Sequence, residues 1–486
     1  MQRTLTVIHA LGLLLVVFSA AYLLPVITAV IYADYAILLD FLVAMVWTLA
    51  IGFLMWLLTR RYKGELSIRH GYLLVVAMWT AMPMFATLPL LLAIPDLSFT
   101  DAYFETMSGM TTTGATTLVG LDNLPPAINV WRHELNWVGG LGIIVLAVAI
   151  LPLLGIGGRQ LFKAETPGPM KEAALTPRIA DTARNLWVIY VAITLVCIGA
   201  LKWAGMNWLD AVCHAFSALS LGGFSTHDAS VGYFNSPAIE LVLIVFMLIA
   251  AINFATHFLA WRGKSMKVYL SDAEAVATVI LIVGSCLGVG YFLWWQGVYP
   301  EFWTALRHAS FNLVSIATDC GYASVDFNQW PMFAPLWMLF LSSIACSAGS
   351  TGGGIKMIRT LVLVKQAGRE FLKLLHPAVV NPMKIGGHVV ANNIVFAVLG
   401  FIFLYFISVA SLTFVLLISG LDFVTAFSAI IACINNMGPG LNMVGPAGNY
   451  QGLTDFQTWV CAVAMLIGRL EIFTVLILFT PHFWRR

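Results

Sequence analysis

Residues 102–115 read Ala-Tyr-Phe-Glu-Thr-Met-Ser-Gly-Met-Thr-Thr-Thr-Gly-Ala, a short stretch that leads into Gly114 and lies between two long hydrophobic segments. The same arrangement recurs at intervals of about 100 residues, which indicates a weak internal repeat of a whole membrane unit. The matching glycines are Gly223, Gly321 and Gly438, and an alanine stands twelve positions before each of the four, at Ala102, Ala211, Ala309 and Ala426. Four copies of such a unit are what is needed to surround a central ion path with one backbone loop from each copy.

The composition predicts an all-α polytopic membrane protein. Hydrophobic residues make up 60% of the 486 residues and charged residues only 10%, as in chains that cross a bilayer repeatedly. The first two apolar runs, residues 5–31 and 36–58, are too long and too closely spaced for a cleaved signal peptide, so both are predicted to be retained helices. The seven cysteines are scattered without a CxxC pair and give no indication of a disulfide framework or a zinc site.

The charges are distributed unevenly along the chain. With a cytoplasmic N-terminus, the loops 60–70, 158–185, 262–274 and 356–388 and both termini hold every lysine and arginine except Arg132, Lys202, Arg307 and Arg469. The positive-inside rule therefore places both termini in the cytoplasm. The same threading puts most carboxylates at the outer side, among them Glu105, Asp122, Asp210 and Asp319. They are expected either to concentrate cations at an outer mouth or simply to be tolerated there.

The chain divides into a two-helix leader, residues 1–70, and four repeats with their connectors, residues 71–179, 180–271, 272–387 and 388–486. In each repeat one span enters from the cytoplasm, a half-length segment dips back from outside, a loop returns, and a second span leads inward. The dipping segments are predicted at residues 102–111, 211–220, 309–318 and 426–435, because about ten residues are too few to span a bilayer. A non-helical return at membrane depth must be buried in protein or line a watery path, so the loops are expected to face a shared axis.

The returning loops provide the candidate ion ligands. They read Thr112-Thr113-Gly114, Leu221-Gly222-Gly223, Asp319-Cys320-Gly321 and Asn436-Met437-Gly438. Only the last position is glycine in every copy, and the differing side chains before it favour a site of backbone carbonyls for a dehydrated monovalent cation. In the alternative interpretation each glycine merely ends a helix as a C-cap.

Two further features of the sequence are unusual within a membrane span. Residues 346–356 read Cys-Ser-Ala-Gly-Ser-Thr-Gly-Gly-Gly-Ile-Lys and are predicted to unwind the second span of the third repeat near its middle. A close-packing patch of small residues is the alternative. Arg469 lies in the apolar run 459–479, where an ionisable residue indicates function unless a distant carboxylate pairs with it.

Weaker signals are given structural interpretations. Asp101 and Asp210 stand at the start of dipping segments, where an acidic helix cap is favourable, so capping is expected rather than ion binding. His214, His227, His257 and His308 are isolated in the sequence and are assigned to packing or to the outer surface.

The four loops, the segment 346–356 and Arg469 together resemble the Trk, Ktr and HKT superfamily of potassium transport proteins, most closely the bacterial Trk-type pore subunit. The resemblance implies four repeats around a pseudo-fourfold axis and, with glycine at all four filter positions, potassium as the transported ion. It also implies a gate beneath the filter, formed by the glycine-rich stretch and the arginine. The residues that this assigns to gating are Gly349, Ser350, Thr351, Gly352, Gly353, Gly354 and Arg469.

The resemblance further implies a homodimer in a bacterial inner membrane, regulated by a peripheral cytosolic nucleotide-binding subunit of the TrkA type. No nucleic-acid partner is indicated. The resemblance therefore implies a potassium uptake pore, whereas the residues alone indicate a path for a monovalent cation. One alternative is a secondary symporter that couples potassium to protons or sodium, for which Asp319 is the obvious ionisable candidate. A membrane-embedded enzyme is the remote alternative, because no nucleophile, base and orienting group recur within one segment.

Overall fold

The computed structural model describes residues 2–62, 64, 67–142 and 179–485. Within these residues, six helices are long and apolar enough to cross a membrane, and up to eight if each of two bent helix pairs counts as one span. The long helices are Thr4–Ile31, Tyr35–Thr59, Arg69–Ala93, Arg184–Trp203, Ala273–Trp295 and Asn392–Ile418. This is the architecture of a multi-pass membrane protein. The connector beyond residue 142, which includes most of the predicted basic loop 158–185, lies outside the described residues.

The leader packs against the first repeat. Its first span consists of the helices Gln2–Phe18 and Leu23–Ile31, joined by a 3-10 turn at Ser19–Tyr22, and its second span is Tyr35–Thr59. Tyr22 stacks on Trp131 with the ring centroids 4.5 Å apart, and its hydroxyl donates to the Phe85 carbonyl at 2.9 Å. A buried aromatic stack of this kind joins the leader to the body of the molecule.

Each predicted dipping segment is a short helix, and we call the four half-helices 1 to 4. They are Phe99–Met110, Trp208–Ser220, Phe302–Ala317 and Phe423–Asn435. All four begin earlier than predicted. In three of them a capping side chain fixes the start, because Ser98, Asn207 and Asp422 accept the backbone N–H three residues on. Asp101 and Asp210 are therefore first-turn residues rather than caps, and they bond the side chains of Ser98 and Asn207 at 2.7 Å.

The helices that follow the four loops are interrupted in more places than the sequence indicated. The predicted break in the third repeat is present, since helix Phe333–Ile344 ends before residues 345–356 and helix Met357–Leu375 follows. Pro237–Ala251 also meets Phe254–Gly263 at 95°, and Asp455–Arg469 meets Ile472–Phe479 at 113°. The sequence analysis singled out no break in the second spans of repeats 2 and 4. At the first of these bends the Asn253 side chain accepts the Ala255 N–H at 2.7 Å and so starts a new helix.

The remaining described elements complete the course of the chain. In the first repeat, Ile68–Ala86 and Leu88–Ala93 precede half-helix 1, and Pro126–Trp137 with a π turn at Val138–Gly142 follows it. Ile179–Trp203 precedes half-helix 2. A short antiparallel hairpin pairs Lys384–Ile385 with His388–Val389 after Met357–Leu375. Short helices are found at Lys267–Ser271, Ile472–Leu476 and Pro481–Trp484.

Candidate functional site

The four loops that follow the half-helices share one backbone conformation. The residue two positions before the glycine is left-handed in every loop, with φ of 55° at Thr112, 55° at Leu221, 64° at Asp319 and 56° at Asn436. The loop glycines themselves also have positive φ, namely 80° at Gly114, 68° at Gly223, 88° at Gly321 and 97° at Gly438. Four unrelated side-chain sequences therefore build the same turn.

Hydrogen bonds at the ends of the half-helices identify this turn as a Schellman cap. The N–H groups of Thr113, Gly222, Cys320 and Met437 each bond the carbonyl five residues back at 2.8 Å. The left-handed capping residue is thus Thr112 or its counterpart, and the glycine lies two residues beyond it. The alternative in which the glycines act as C-caps does not match this geometry. Another requirement must explain why this position is glycine four times.

The residue at this position must leave room for the neighbouring loop, which approaches it closely. A Cβ added at Gly438 would lie 2.7 Å from the Thr113 carbonyl oxygen, and the other three loop glycines are at least as crowded. Gly114 faces the Gly222 carbonyl, Gly223 the Cys320 carbonyl, and Gly321 the Met437 carbonyl. The contacts run from loop 1 to 2, 2 to 3, 3 to 4 and 4 to 1, which is a closed cycle. We call the carbonyls of Thr113, Gly222, Cys320 and Met437 the carbonyl ring.

The glycine-rich segment, residues 346–356, lies under the loops of repeats 2, 3 and 4. The Thr351 hydroxyl donates to the Leu219 carbonyl at 3.0 Å, and the Gly353 N–H donates to an Asp319 carboxylate oxygen at 2.9 Å. A Cβ at Gly353 would overlap the Asn435 carbonyl oxygen. The predicted gating glycines are therefore close to the ends of half-helices 2 and 4, and the bond to Asp319 connects the segment to loop 3.

Arg469 is bonded directly to this segment. Its guanidinium donates to the Thr351 carbonyl at 2.9 Å and to the carbonyls of Gly139 and Gly140 at 2.6 and 2.7 Å. The nearby carboxylate Glu471 pairs with Arg359 at 2.9 Å. The structure thus brings Arg469, the glycine-rich segment and the π turn Val138–Gly142 of repeat 1 together.

Lys356 is a residue of the glycine-rich segment that the sequence analysis did not assign to the site. It is buried, its backbone has a φ of 79°, and its ammonium group bonds the Gly352 carbonyl. A charged residue at membrane depth indicates a functional site. The lysine at this position in the sequence could therefore have identified the residue.

Several carboxylates expected at the outer surface are buried instead. Glu105, Asp210 and Asp319 have exposed fractions of 1%, 3% and 0%. Glu105 accepts a hydrogen bond from Arg132 Nε at 2.7 Å, and both side chains are almost fully buried. These three carboxylates therefore do not line an open acidic mouth, because each has partners inside the protein. Arg132 is one of the four basic residues that depart from the positive-inside pattern, but its partner could not be read from the sequence.

His227 is not isolated, since it bridges residues of the first two repeats. Its Nδ1 contacts an Asp122 oxygen and its Nε2 lies 3.3 Å from Asp210. Burial lowers the pKa of His227, but the hydrogen bonds to Asp210 and Asp122 outweigh it and the net pKa is raised. Burial likewise raises the pKa of Asp122, but the bonds from His227 and the Asp228 N–H produce a net lowering. Both directions favour a charged pair.

Comparison with known proteins gives concordant matches along the whole chain. Residues 37–486 match TrkH, described as a cation transport protein. The Trk system potassium uptake protein TrkH of Salmonella typhimurium is 46% identical over 481 residues, 98% of each chain. The Trk system potassium uptake protein TrkG of Escherichia coli is 38% identical, over 99% of this chain and 98% of that protein. The crystal structure of the potassium transporter TrkH from Vibrio parahaemolyticus matches with a TM-score of 0.89 at 44% identity, over 99% of this chain and 100% of that one.

Proposed function

This chain belongs to the TrkH family of cation transport proteins, and from that premise we propose that it takes up potassium through the carbonyl ring of its four loops. The resemblance drawn from the loop sequences is confirmed at the level of the family, and the relatives described above are transport proteins rather than enzymes. We propose potassium as the transported ion because the relatives are potassium uptake proteins. The observation that carries the proposal is the closed cycle in which every loop glycine admits a carbonyl of the next loop.

In this proposal the ion sheds water as it enters the ring, and backbone oxygens replace that water. Carbonyls discriminate between ions by the number and strength of the dipoles they present, so the differing side chains of the four loops are tolerated. The proposed filter residues are the twelve of the loop triplets, Thr112 to Gly114, Leu221 to Gly223, Asp319 to Gly321 and Asn436 to Gly438. Their shared φ pattern supports an equivalent contribution from each repeat.

We propose that the glycine-rich segment and Arg469 form a gate below the filter. The guanidinium group holds the segment through the Thr351 carbonyl at 2.9 Å. A fixed positive charge in a low-dielectric passage raises the barrier for a cation. Opening would require the segment to give up its bonds to Arg469 and Asp319, and the six residues Gly349 to Gly354 are the proposed moving part.

Regulation and assembly are proposed from the resemblance. The protein is proposed to form a homodimer in a bacterial inner membrane, with both termini in the cytoplasm and a peripheral nucleotide-binding subunit docked beneath it. Flux from purified protein in liposomes, with and without that subunit, tests this arrangement. The subunit is expected to raise rubidium uptake in the presence of its nucleotide, and an identical flux without it would contradict the proposal.

Coupled symport is the second candidate, and Asp319 favours it. The carboxylate is buried, and one of its oxygens has no hydrogen-bond partner among the described residues. Reversal potentials in opposing gradients of potassium, sodium and protons separate the two candidates. A pore is expected to follow the potassium gradient alone, whereas a symporter shifts its reversal potential with the second ion.

Crystals soaked in rubidium provide the direct test of the filter. We expect an anomalous peak between Thr113, Gly222, Cys320 and Met437. A peak confined to the carboxylates of the outer loops would contradict the carbonyl site.

A further inference from the structure

Each half-helix carries a buried polar side chain, nine positions before the loop glycine in three repeats and ten in the fourth, that faces the chain segment leading away from that glycine. We call this segment the climbing segment and these four side chains the strut residues, namely Glu105, His214, Asn312 and Ser428. All four are at most 1% exposed. A buried polar group must have a hydrogen-bond partner. The partners of these four side chains lie at equivalent positions, two or three residues after the loop glycine of the same repeat. In half-helix 2 the first-turn residue Asp210 makes a second contact of this kind, because it accepts from the Thr226 hydroxyl at 2.6 Å.

In repeat 1 the strut carboxylate binds the climbing segment at two points. The Thr116 hydroxyl donates to the two Glu105 oxygens at 3.0 and 2.9 Å, and the Thr117 N–H donates at 3.1 Å. Thr116 and Thr117 are the second and third residues after Gly114.

In repeat 2 the strut is an imidazole whose tautomer follows from its partners. His214 Nδ1 lies 2.9 Å from the Asp210 carbonyl, which only accepts, so Nδ1 carries the proton. Nε2 of the neutral ring then accepts from the Ser225 hydroxyl at 3.0 Å. Ser225 is the second residue after Gly223.

Repeats 3 and 4 use neutral side chains for the same contact. Asn312 donates to the Ser324 hydroxyl at 2.9 Å and accepts from the Ser324 N–H at 3.0 Å. The Ser428 hydroxyl accepts from the Leu441 N–H at 2.8 Å. Ser324 and Leu441 are both the third residue after the loop glycine.

The four contacts therefore join each half-helix to the climbing segment within three residues of the loop glycine. That segment has no helical ladder of its own, so its N–H groups depend on such partners. In repeats 1, 3 and 4 the N–H of the third residue after the glycine donates to the strut. We infer that the strut residues are positioning residues that hold the carbonyl ring at its width and thereby set ion preference. This inference rests on the proposed function of the ring.

Arg132 links the strut of repeat 1 to Ser225, the residue that the strut of repeat 2 contacts. Arg132 donates to Glu105 at 2.7 Å and to the Ser225 carbonyl at 3.1 Å, and its guanidinium lies 4.3 Å from the Phe224 ring centroid. Removing one partner of a buried ion pair leaves an uncompensated charge and endangers folding. The informative substitutions are therefore at the uncharged struts.

The test compares loss of a strut with its replacement by the type used in another repeat. His214→Leu and Asn312→Leu remove the contact, and each is expected to lower the potassium-to-sodium permeability ratio about fivefold, the size of one lost hydrogen bond. His214→Asn introduces the side chain of repeat 3 and is expected to retain the ratio. The ratio is measured from bi-ionic reversal potentials of purified protein in liposomes.

Thr106→Val is the matched control. Thr106 is buried beside Glu105, but its hydroxyl bonds the Pro83 and Ala102 carbonyls and not the climbing segment. It is expected to leave the ratio unchanged. If a leucine variant does not fold, Ser428→Ala removes a single hydroxyl and carries the same expectation of a lower ratio.

The outcomes separate the two levels of inference. If the wild-type protein prefers potassium and the leucine variants keep that preference, the positioning role is contradicted and the proposed function stands. A fall in the ratio that Thr106→Val shares also contradicts the positioning role, because the effect is then general loosening. A wild-type protein without potassium preference contradicts the proposed function itself.

Discussion

At the scale of one residue, Thr112 adopts the unusual left-handed backbone conformation that each loop requires. A β-branched residue rarely adopts positive φ, because its side chain meets the backbone there. Thr112 nevertheless has a φ of 55°, and Leu221, Asp319 and Asn436 have nearly the same value. Strain of this kind persists only where the surroundings determine it. Here the Schellman bonds and complete burial do so.

Gly114→Ser tests the loop glycine itself. The serine Cβ would meet the Gly222 carbonyl, so the loop must shift and the ring changes. We expect sodium permeability relative to potassium to rise about tenfold, or about 1.4 kcal/mol, in a competitive flux assay. Gly120→Ser is the control, since Gly120 also has positive φ but nothing lies within 4 Å of the added atom. Equal effects of both substitutions would mean that backbone strain, and not the ring, is responsible.

Arg469→Ala tests the charge below the filter. Without the guanidinium the barrier falls and the segment loses its bond through Thr351. We expect basal rubidium uptake to rise about tenfold, which corresponds to about 1.4 kcal/mol, with ion preference unchanged. Arg469→Lys keeps the charge and should stay closer to wild type. A folded alanine variant that conducts no faster would assign Arg469 a purely structural role.

At this scale the sequence suggests candidate residues but not the contacts that these residues make. The glycines and Arg469 stand out because a strained position and an intramembrane charge are visible in the residue type alone. The partners of Glu105 and His227 lie in other segments, at Arg132 and Asp122. Sequence spacing carries no information about such distant pairs.

The half-helices illustrate prediction at the scale of elements. Their existence followed from apolar runs too short to span a bilayer. Their first residues did not, because Ser98, Asn207 and Asp422 start the helices before the apolar run begins. The bends at residues 252–253 and 470–471 have neither glycine nor proline, which are the usual signals of a break.

Gly353→Ala tests whether the glycine-rich segment must lie tightly under half-helix 4. Its Cβ would overlap the Asn435 carbonyl, so the segment must move away. We expect basal uptake to rise about threefold, equivalent to less than 1 kcal/mol. Gly368→Ala, in the helix that follows, has open space around the added atom and serves as the control. Unchanged uptake in Gly353→Ala would contradict a plug at this position.

At the scale of the whole molecule, His227 links repeats 1 and 2 through Asp122 and Asp210. Its pKa is raised above 6.5, so its stabilisation is complete below that pH and is lost as the pH rises through the raised value. The Tm advantage of wild type over His227→Gln should therefore shrink by about 1–2 °C between about pH 6 and 9. The exposed His376→Gln is the control. A constant difference across this range would show that the pair contributes through packing alone.

The half-helices also contribute to the electrostatic field of the molecule. Each carries a macrodipole whose C-terminal end bears roughly half a negative charge. The four ends, at Met110, Ser220, Ala317 and Asn435, all lead into the cycle of loops. The Schellman bonds take up some of the terminal carbonyls but leave this field in place. At the proposed filter, a cation just inside the loops would face the C-terminal ends of four helices, whose partial negative charges would stabilise it in addition to the loop carbonyls.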